Sequence, residues 1–309
     1  MKRTRNGPIV VLVCLLSLAA AACGGAPGEA AATAPPEGGF PVEVDGTLIP
    51  AAPQRIVSAS ASHTEILFAL GAGERVVATD QFSNFPPEAE ATAKLDAFNL
   101  GVEAVAALSP DLVVLSYDPG DLRAGLAALG IPTLLFAPPF DLEDVYGQVR
   151  ALGTATGLEA EAEALVADTA AAVARVVSSL PPREASLTYY YELDPTLYSL
   201  TSGTFVGGLL SLLGMESIAD AADSAGTGYP QLSAEFVLAA DPDFVFLADT
   251  RCCGQTPETV AARPGWATLQ AVAAGRVVAL DDDVASRWGP RLVELVEAVV
   301  AAVTPEAGL

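Results

Sequence analysis

The sequence predicts an α/β protein of two lobes, each with a mostly parallel sheet covered by helices, joined by one long rigid helix. Three observations predict this fold class. Short apolar segments alternate with helical ones from Phe40 onward, one helix–turn–strand unit occurs twice, and one long amphipathic segment lies between the two copies. Alternating strands and helices are typical of parallel sheets covered by helices. Lobes of this kind are Rossmann-like.

The alternation begins with three short elements. The segment from Arg55 to Ser60 is an apolar strand, Thr64 to Leu70 is a predicted helix, and Arg75 to Thr79 is a second strand. Thr64 can cap that helix, and Gly71 can end it. Strand and helix continue to alternate along the chain, which predicts parallel strands.

One unit of the sequence occurs twice, as VEAVAALSPDLVVLS at 102–116 and as AEFVLAADPDFVFLA at 234–248. Each copy has a Glu near the start of a helix, a Pro-Asp turn and an apolar strand. Three pairs of residues share an offset of 132 positions: Glu103 with Glu235, Pro110 with Pro242, and Asp111 with Asp243. Continuously apolar strands are typical of a sheet buried on both faces. Two copies in this register predict duplicated lobes.

A single long helix is predicted between the two copies. Apolar residues recur every three or four positions from Leu158 to Leu180, and Pro181 and Pro182 end the pattern. At 1.5 Å per residue such a helix is roughly 34 Å long, which makes a stiff connection. We therefore expect an N-terminal lobe at 40–157, a connecting helix at 158–182 and a C-terminal lobe at 183–309.

The first residues are predicted to direct export. Three basic residues precede a charge-free run that ends in Ala-Ala-Ala-Cys at position 23. That run is too short to span a membrane, and its pattern is a secretory signal. The segment resembles a bacterial lipobox, which implies a signal peptide at 1–22, a lipid on Cys23 and a flexible tether at 23–39. Cleavage near Ala22 without lipid is the alternative.

Charge and residue counts exclude several functions. The chain has 15 basic and 38 acidic residues and a formal charge of −23, which argues against nucleic-acid binding. With one His in the chain, a free-metal site is not expected, and neither is a resident cofactor. The main hydrolase and nucleotide motifs are absent from the sequence, so we predict that the protein is not an enzyme. Paired carboxylates for glycoside cleavage remain possible by composition.

Seven segments in order resemble one family, the periplasmic-binding proteins of ABC importers for cobalamin and ferric siderophores. They lie between Arg55 and Val303 and read RIVSASASHTEILFALGAGERVVATD, FPPEA, EAVAALSPDLVV, TSGTFVGGLLSLLGMESIAD, YPQLSAEFVLAADPDFV, AVAAGRVVAL and GPRLVE. The resemblance implies a ligand cleft between the lobes, and a permease with its ATPase as partners. It also implies an exported protein held at the outer face of the membrane, and we expect a monomer. A ligand-sensing lipoprotein of the same fold is an alternative.

The resemblance assigns a role to the repeated glutamates. In that family one glutamate on each lobe docks onto arginines of the permease, and Glu103 and Glu235 fall on those positions. Arg binds carboxylates bidentately, which suits such a contact. The alternative is that both residues only stabilise helix starts.

The resemblance also indicates ligand contacts in the cleft. Where relatives bind cobalamin, aromatic residues match Phe82, Phe98, Tyr117, Tyr191 and Tyr229. Flat rings suit a large planar macrocycle. We add Trp288, His63, and Arg287 as a partner for a carboxylate-bearing ligand. Cobalamin is the favoured ligand, and a ferric siderophore or haem comes next.

Two adjacent cysteines, Cys252 and Cys253, lie in a polar segment after the second repeated strand. An exported compartment permits disulfides, and we predict a vicinal disulfide between them. Two free thiols are the alternative.

Overall fold

The computed structural model describes residues 39–304. The predicted signal peptide, Cys23 and nearly all of the predicted tether lie outside the described residues. Within residues 39–304, no helix combines the length and apolar character needed to cross a membrane.

The first sheet is wholly parallel and lies in the N-terminal part of the chain. Its spatial order is β5-β4-β3-β6-β7. A two-stranded antiparallel hairpin, β1 and β2, precedes it. The bounds are β1 Val42–Val44, β2 Thr47–Ile49, β3 Ile56–Ala59, β4 Val76–Asp80, β5 Ala93–Leu95, β6 Leu112–Leu115 and β7 Thr133–Leu135. All four residues of β6 are buried, because helices cover both faces of this central strand.

The second sheet is also parallel and has the order β11-β10-β8-β9. Its strands are β8 Leu187–Glu192, β9 Met215–Ser217, β10 Phe244–Leu247 and β11 Val277–Ala279. Two parallel sheets with covering helices confirm the predicted fold class.

Thirteen α-helices surround the sheets within residues 39–304. They are α1 Ala61–Ala69, α2 Pro87–Glu90, α3 Val102–Ala106, α4 Leu122–Ala128, α5 Leu142–Thr156, α6 Glu159–Ser178, α7 Phe205–Leu212, α8 Ala234–Ala240, α9 Thr250–Cys253, α10 Pro257–Ala261, α11 Gln270–Ala273, α12 Asp282–Ser286 and α13 Leu292–Val303. Short 3-10 turns lie at Gly73–Arg75, Pro119–Asp121, Ile218–Ala221 and Trp266–Thr268.

Helix α6 runs from one sheet to the other. It has 20 residues, about 30 Å at 1.5 Å per residue. Ala162 and Val166 of its first half belong to the apolar core around the first sheet. Val173 and Val176 of its second half belong to the core around the second sheet. Because one rigid helix is packed into both cores, it fixes how the lobes are joined.

The repeated unit has the same structure in both lobes. Helix α3 leads to β6, and helix α8 leads to β10. The Asp111 carboxylate accepts hydrogen bonds from the backbone N–H groups of Gln54 and Arg55, at the entry to β3. The Asp243 carboxylate accepts one from the N–H of Thr188, near the start of β8. Each repeated aspartate thus holds the neighbouring strand in place.

Candidate functional site

The candidate site is the cleft, defined here as the space between the carboxyl edges of the two sheets. In a parallel sheet, loops that follow the strands meet at this edge and bind ligands there. Four strands of the first sheet are each followed closely by an aromatic residue: Phe82 after β4, Phe98 after β5, Tyr117 after β6 and Phe140 after β7. The fold therefore gathers these rings at one edge.

A cavity of about 490 Å³ opens between the lobes at this edge. Its walls come from residues 137–140 of the first lobe and from loops of the second lobe around Thr201 and Tyr229. The volume lies in the range of ordinary ligand pockets, which is roughly 300–1,000 Å³.

The cleft aromatics are exposed although they are large and apolar. Phe98 is 74% exposed and Tyr117 is 71% exposed, and Phe82 and Tyr229 are each about half exposed. The rings of Phe82 and Phe98 meet edge to face, with centroids 5.6 Å apart. Exposed aromatic groups of this kind mark binding surfaces. The structure thus places four of the predicted ligand contacts where a ligand can reach them.

The backbone of Phe82 is held on both sides by charged groups. Its N–H donates to Oδ1 of Asp80 at 2.7 Å, and its carbonyl accepts from Nη2 of Arg287 at 2.8 Å. Burial raises the pKa of Asp80, and the N–H donors of Phe82 and Ser83 oppose that shift. The backbone at this cleft aromatic is therefore held in place.

Arg287 belongs to a buried ionic network between the lobes, which we call the inter-lobe clamp. The Glu65 carboxylate of α1 accepts from Nη1 of Arg287 at 2.9 Å and from Nη2 of Arg291 at 2.6 Å. Arg287 also donates to the side chains of Asn84 and Asp283. Both terminal nitrogens of its guanidinium are thus bound to protein groups. The prediction that Arg287 contacts the ligand is therefore wrong.

His63 is also committed to internal partners. It is fully buried on α1, with Nε2 2.9 Å from Oε1 of Gln148 and Nδ1 2.7 Å from Oγ of Ser60. Trp288 Nε1–H also donates to that Gln148 oxygen, and the Gln148 amide donates to the carbonyl of Ala137. The oxygen is thus an acceptor, so Nε2 of His63 carries the proton and Nδ1 accepts from Ser60.

The environment of His63 keeps its imidazole neutral. Burial lowers its pKa to about 4, and the hydrogen bond to Gln148 only partly opposes this shift. Both ring nitrogens have partners, and the ring stacks on Phe136 at 4.9 Å. The predicted ligand role of His63 is therefore wrong, because no nitrogen is free for a ligand.

Trp288 lies where the lobes meet. Its backbone N–H donates to Oγ of Ser62, its indole N–H donates to Gln148, and its ring meets His63 edge to face at 6.1 Å. The side chain is half-buried. Its polar end thus joins the lobes and is not available to a ligand.

Tyr191 lies inside the second lobe. It belongs to β8, where side chains alternate between faces, so Tyr189 and Tyr191 enter one core and Tyr190 enters the other. Tyr191 is fully buried, and its hydroxyl donates to the carbonyl of Ala285 at 2.9 Å. The predicted ligand contact is wrong, because the strand extends to Glu192 and carries Tyr191 into the core.

Glu103 and Glu235 occupy equivalent places in the two lobes. Each lies in the first turn of its helix, α3 or α8, and each is exposed. Neither forms an ion pair within residues 39–304. Helices that lead into parallel strands begin at the carboxyl edge of the sheet, so both carboxylates lie on the open rim of the molecule.

Cys252 and Cys253 are free and exposed in helix α9. The predicted disulfide is absent from this structure.

Two cations close to the cleft aromatics are committed to protein groups. Lys94, which follows β4 and precedes Phe98, donates to Oγ1 of Thr79 and to the carbonyls of Ser83 and Ala89. Arg287 is held in the inter-lobe clamp. Among residues 39–304, no group of three or more His, Cys, Asp or Glu side chains is arranged to hold a metal ion.

Several residues at or near the cleft were not predicted from the sequence. Contacts between distant segments are made by Glu65, Gln148 and Arg291. A local sequence pattern does not predict such contacts. Phe140 is different, because it lies in the segment that follows β7, as Tyr117 lies in the segment that follows β6. An aromatic residue after a predicted strand was the signal that could have found it.

Comparisons with known proteins agree with this geometry. A family described as "Periplasmic binding protein" matches residues 56–284. A relative from Bacillus subtilis, "Uncharacterized ABC transporter substrate-binding lipoprotein YvrC", is 30% identical over 282 residues, covering 86% of this chain and 87% of that protein.

Two solved structures have the same fold. The apo form of the periplasmic heme-binding protein RhuT from Roseiflexus sp. RS-1 has a TM-score of 0.72 and 26% identity, covering 81% of this chain and 97% of that one. The periplasmic vitamin B12 binding protein BtuF of Vibrio cholerae has a TM-score of 0.68 and 26% identity, covering 81% of this chain and 96% of that one.

Proposed function

The chain belongs to the Periplasmic binding protein family, and we propose that it captures a cobalamin in the cleft and delivers it to the permease of an ABC importer. Proteins of this family bind solutes for transporters and are not enzymes, as predicted for this chain. The identity of the solute and the delivery to a permease are our proposals for this chain.

One observation carries the choice of ligand: the cleft presents exposed aromatic rings, and the cations Lys94 and Arg287 beside them are committed to protein groups. Rings such as Phe98 and Tyr117 can pack on a large flat macrocycle. Arg287 and Lys94, two cations near these rings, are occupied by protein groups. A ferric tris-catecholate or another polyanion would enter this cleft unpaired, at a high cost. Cobalamin carries neutral amides around its ring, and its one phosphodiester charge is balanced by the cobalt–corrin centre, so it does not need a cationic partner.

Haem is the second candidate, and a specific observation favours it. The hydroxyl-bearing side chains of Tyr117 and Tyr229 are exposed on opposite lobes, and tyrosine is a known axial ligand of haem iron. The similar structure of a heme-binding protein adds support. The two haem propionates count against it, because Arg287 and Lys94 are not free to pair with them.

Equilibrium dialysis with cyanocobalamin, haemin and a ferric tris-catecholate tests the choice, since all three are coloured. We expect micromolar or tighter binding of cobalamin and weaker binding of the two anionic compounds. The double variant Phe98→Ala/Tyr229→Ala should weaken cobalamin binding by at least tenfold, since each ring contributes roughly 1 kcal/mol or more. Leu129→Ala, an exposed apolar control at the far end of α4, should bind normally. Preferred binding of haemin would replace cobalamin by the second candidate.

We also propose that Glu103 and Glu235 dock onto arginines of the permease. Their equivalent, unpaired and exposed positions on the two lobes support this role. The double charge reversal Glu103→Arg/Glu235→Arg should abolish uptake in cells and leave cobalamin affinity unchanged. Glu161→Arg, an exposed charge reversal on α6, is the matched control. Normal uptake by the double variant would contradict the docking role.

A lipid on Cys23 is the proposed anchor at the outer face of the membrane. The sequence before Cys23 supports it, and the similar Bacillus subtilis protein is named a lipoprotein. Labelled palmitate should enter the wild-type protein but not Cys23→Ala. Equal labelling of both would exclude the anchor. If no permease and ATPase genes adjoin this gene, a ligand-sensing lipoprotein becomes the better reading.

A further inference from the structure

A second, apolar cavity lies beside the cleft and has no role in the proposed function. It has a volume of about 240 Å³ and joins the start of α5 in the first lobe to the outer face of α7 in the second. We call it the side groove. Its walls are Phe140, Asp141, Leu142, Glu143, Phe205, Gly208, Leu209 and Leu212.

The side groove is continuous with the cleft. Phe140 and Phe205 line both cavities, so these two rings form a wall that the cleft and the side groove share. Both cavities are also built from both lobes. A ligand seated in the cleft can therefore extend past Phe140 into the groove without leaving the protein surface.

The groove exposes apolar groups that the fold does not cover. Phe140 is 77% exposed and Leu212 is 51% exposed, the former being the most exposed large apolar side chain in the described part of the chain. Phe140 cannot withdraw easily, since its backbone N–H donates to Oδ2 of Asp144 at 2.8 Å and Pro138 and Pro139 stiffen the preceding segment. A fixed exposed apolar wall is typical of a binding surface.

We propose that the side groove is a subsite for an apolar, uncharged arm of the ligand held in the cleft. The inference rests on the proposed function and names a further part of the ligand. Its volume is below that of a whole-ligand pocket, so it suits one substituent. The carboxylates of Asp141 and Glu143 at its edge oppose an anionic arm. On a corrinoid, the group of this chemistry is the aromatic base at the end of the nucleotide loop, and the anionic phosphodiester of that loop would stay outside the groove.

Gly208 offers a way to fill the groove without disturbing the core. A Cβ at this position would have only the carbonyl oxygen of Phe140 nearby, at 3.9 Å, which is ordinary contact. Leu is also a better helix former than Gly, so Gly208→Leu should fold at least as stably. Ala167→Leu, on the exposed face of α6, adds a similar side chain far from the groove and serves as the matched control.

Equilibrium dialysis with cobalamin and with cobinamide, which lacks the nucleotide loop, tests the subsite. Wild-type protein should prefer cobalamin to cobinamide. Gly208→Leu should lower cobalamin affinity by roughly tenfold and leave cobinamide affinity unchanged, because only the arm loses its contacts. Ala167→Leu should bind both compounds normally.

The possible results separate the subsite from the proposed function. Equal loss of both compounds, or loss of neither, would refute the subsite while leaving cobalamin as the ligand. Wild-type protein that binds neither compound would refute the proposed ligand and the corrinoid arm together. If Gly208→Leu lowers the unfolding midpoint, Leu212→Ala is used in its place. This variant removes part of the groove wall and should reduce the preference for cobalamin over cobinamide.

Discussion

Glu65 and Arg287 lie 222 positions apart in the chain, yet their Oε1 and Nη1 atoms form a hydrogen bond of 2.9 Å. The two residues belong to different lobes and are only 2% and 8% exposed. Arg287 also holds the carbonyl of the cleft residue Phe82. The clamp that joins the lobes thus also holds the backbone of one residue of the cleft wall.

The first prediction concerns the central carboxylate of that clamp. Glu65→Gln should lower the free energy of unfolding by about 3 kcal/mol, because Arg291 would lose its ion-pair partner and Arg287 would keep only Asp283. Urea denaturation followed by circular dichroism measures the change. Glu163→Gln is the matched control, since it breaks an exposed pair with Arg150 and should cost less than about 1 kcal/mol. Equal costs for the two variants would mean that the clamp contributes little.

The second prediction separates a cleft tyrosine from a core tyrosine. Tyr229→Ala should weaken ligand binding by roughly tenfold with little change in stability, because its ring is half exposed at the cavity between the lobes. Tyr191→Phe should leave binding unchanged but cost about 1 kcal/mol of stability, since the carbonyl of Ala285 loses its donor. Equilibrium dialysis measures the ligand affinity, and urea denaturation measures the stability. A Tyr191→Phe protein with normal stability and impaired binding would support the ligand contact that the sequence predicted for Tyr191.

The third prediction uses the fact that the chain has one histidine. The His63 imidazole should stay neutral through the physiological pH range and charge only near its pKa of about 4. The pKa is lower in the folded state, so His63 supports stability above pH 6.5, and this contribution is lost as the pH falls toward about 4. Imidazole nitrogen chemical shifts followed by NMR report both the charge and the proton on Nε2. The same protein in concentrated urea is the control and should titrate near 6.5. A folded-state midpoint near 6.5 would contradict the assigned burial.

The sequence predicted the fold well because local patterns carry it. Apolar strands, a repeated helix–turn–strand unit and a long amphipathic helix lead to β6, β10 and α6 as observed. Aromatics that follow strands, such as Phe82 and Tyr117, also lie at the cleft edge because parallel strands all end there.

The residues that the sequence misplaced depend on contacts between distant segments. His63 meets Gln148 85 positions away, and Arg287 meets Glu65 222 positions away. The sequence around His63 or Arg287 gives no indication of its distant partner. Tyr191 was misplaced for another reason, since the end of β8 lies at Glu192 and strand ends are the least certain feature of a sequence-based prediction.

The fourth prediction concerns an acidic group buried under the second lobe's carboxyl edge. Asp249 is fully buried, and neither of its carboxylate oxygens has a donor among residues 39–304. The adjacent Glu192 carboxylate is already bound on both oxygens by Arg263. Burial, and then the negative charge of Glu192, raise the pKa of Asp249 to about 7, although Arg263 opposes the shift. Asp282 adds a further negative charge nearby.

The pH dependence of stability follows from this raised pKa. In the unfolded chain Asp249 releases its proton near its ordinary value of 3.8, whereas in the folded protein it keeps the proton up to about pH 7. Its contribution to stability is therefore complete below about pH 4 and is lost as the pH rises toward 7. The neutral variant Asp249→Asn removes this loss, because it brings no negative charge into the site at any pH.

Urea midpoints at about pH 5 and about pH 8 check the effect. Wild-type protein should lose more stability between these values than Asp249→Asn. The comparison isolates Asp249, because the contribution of His63 is common to both proteins and cancels in the difference. Asp168→Asn, an exposed change on α6, should behave like the wild type. The same pH dependence in all three proteins would show that Asp249 is already ionised at about pH 5 and that water or a neighbouring donor satisfies it.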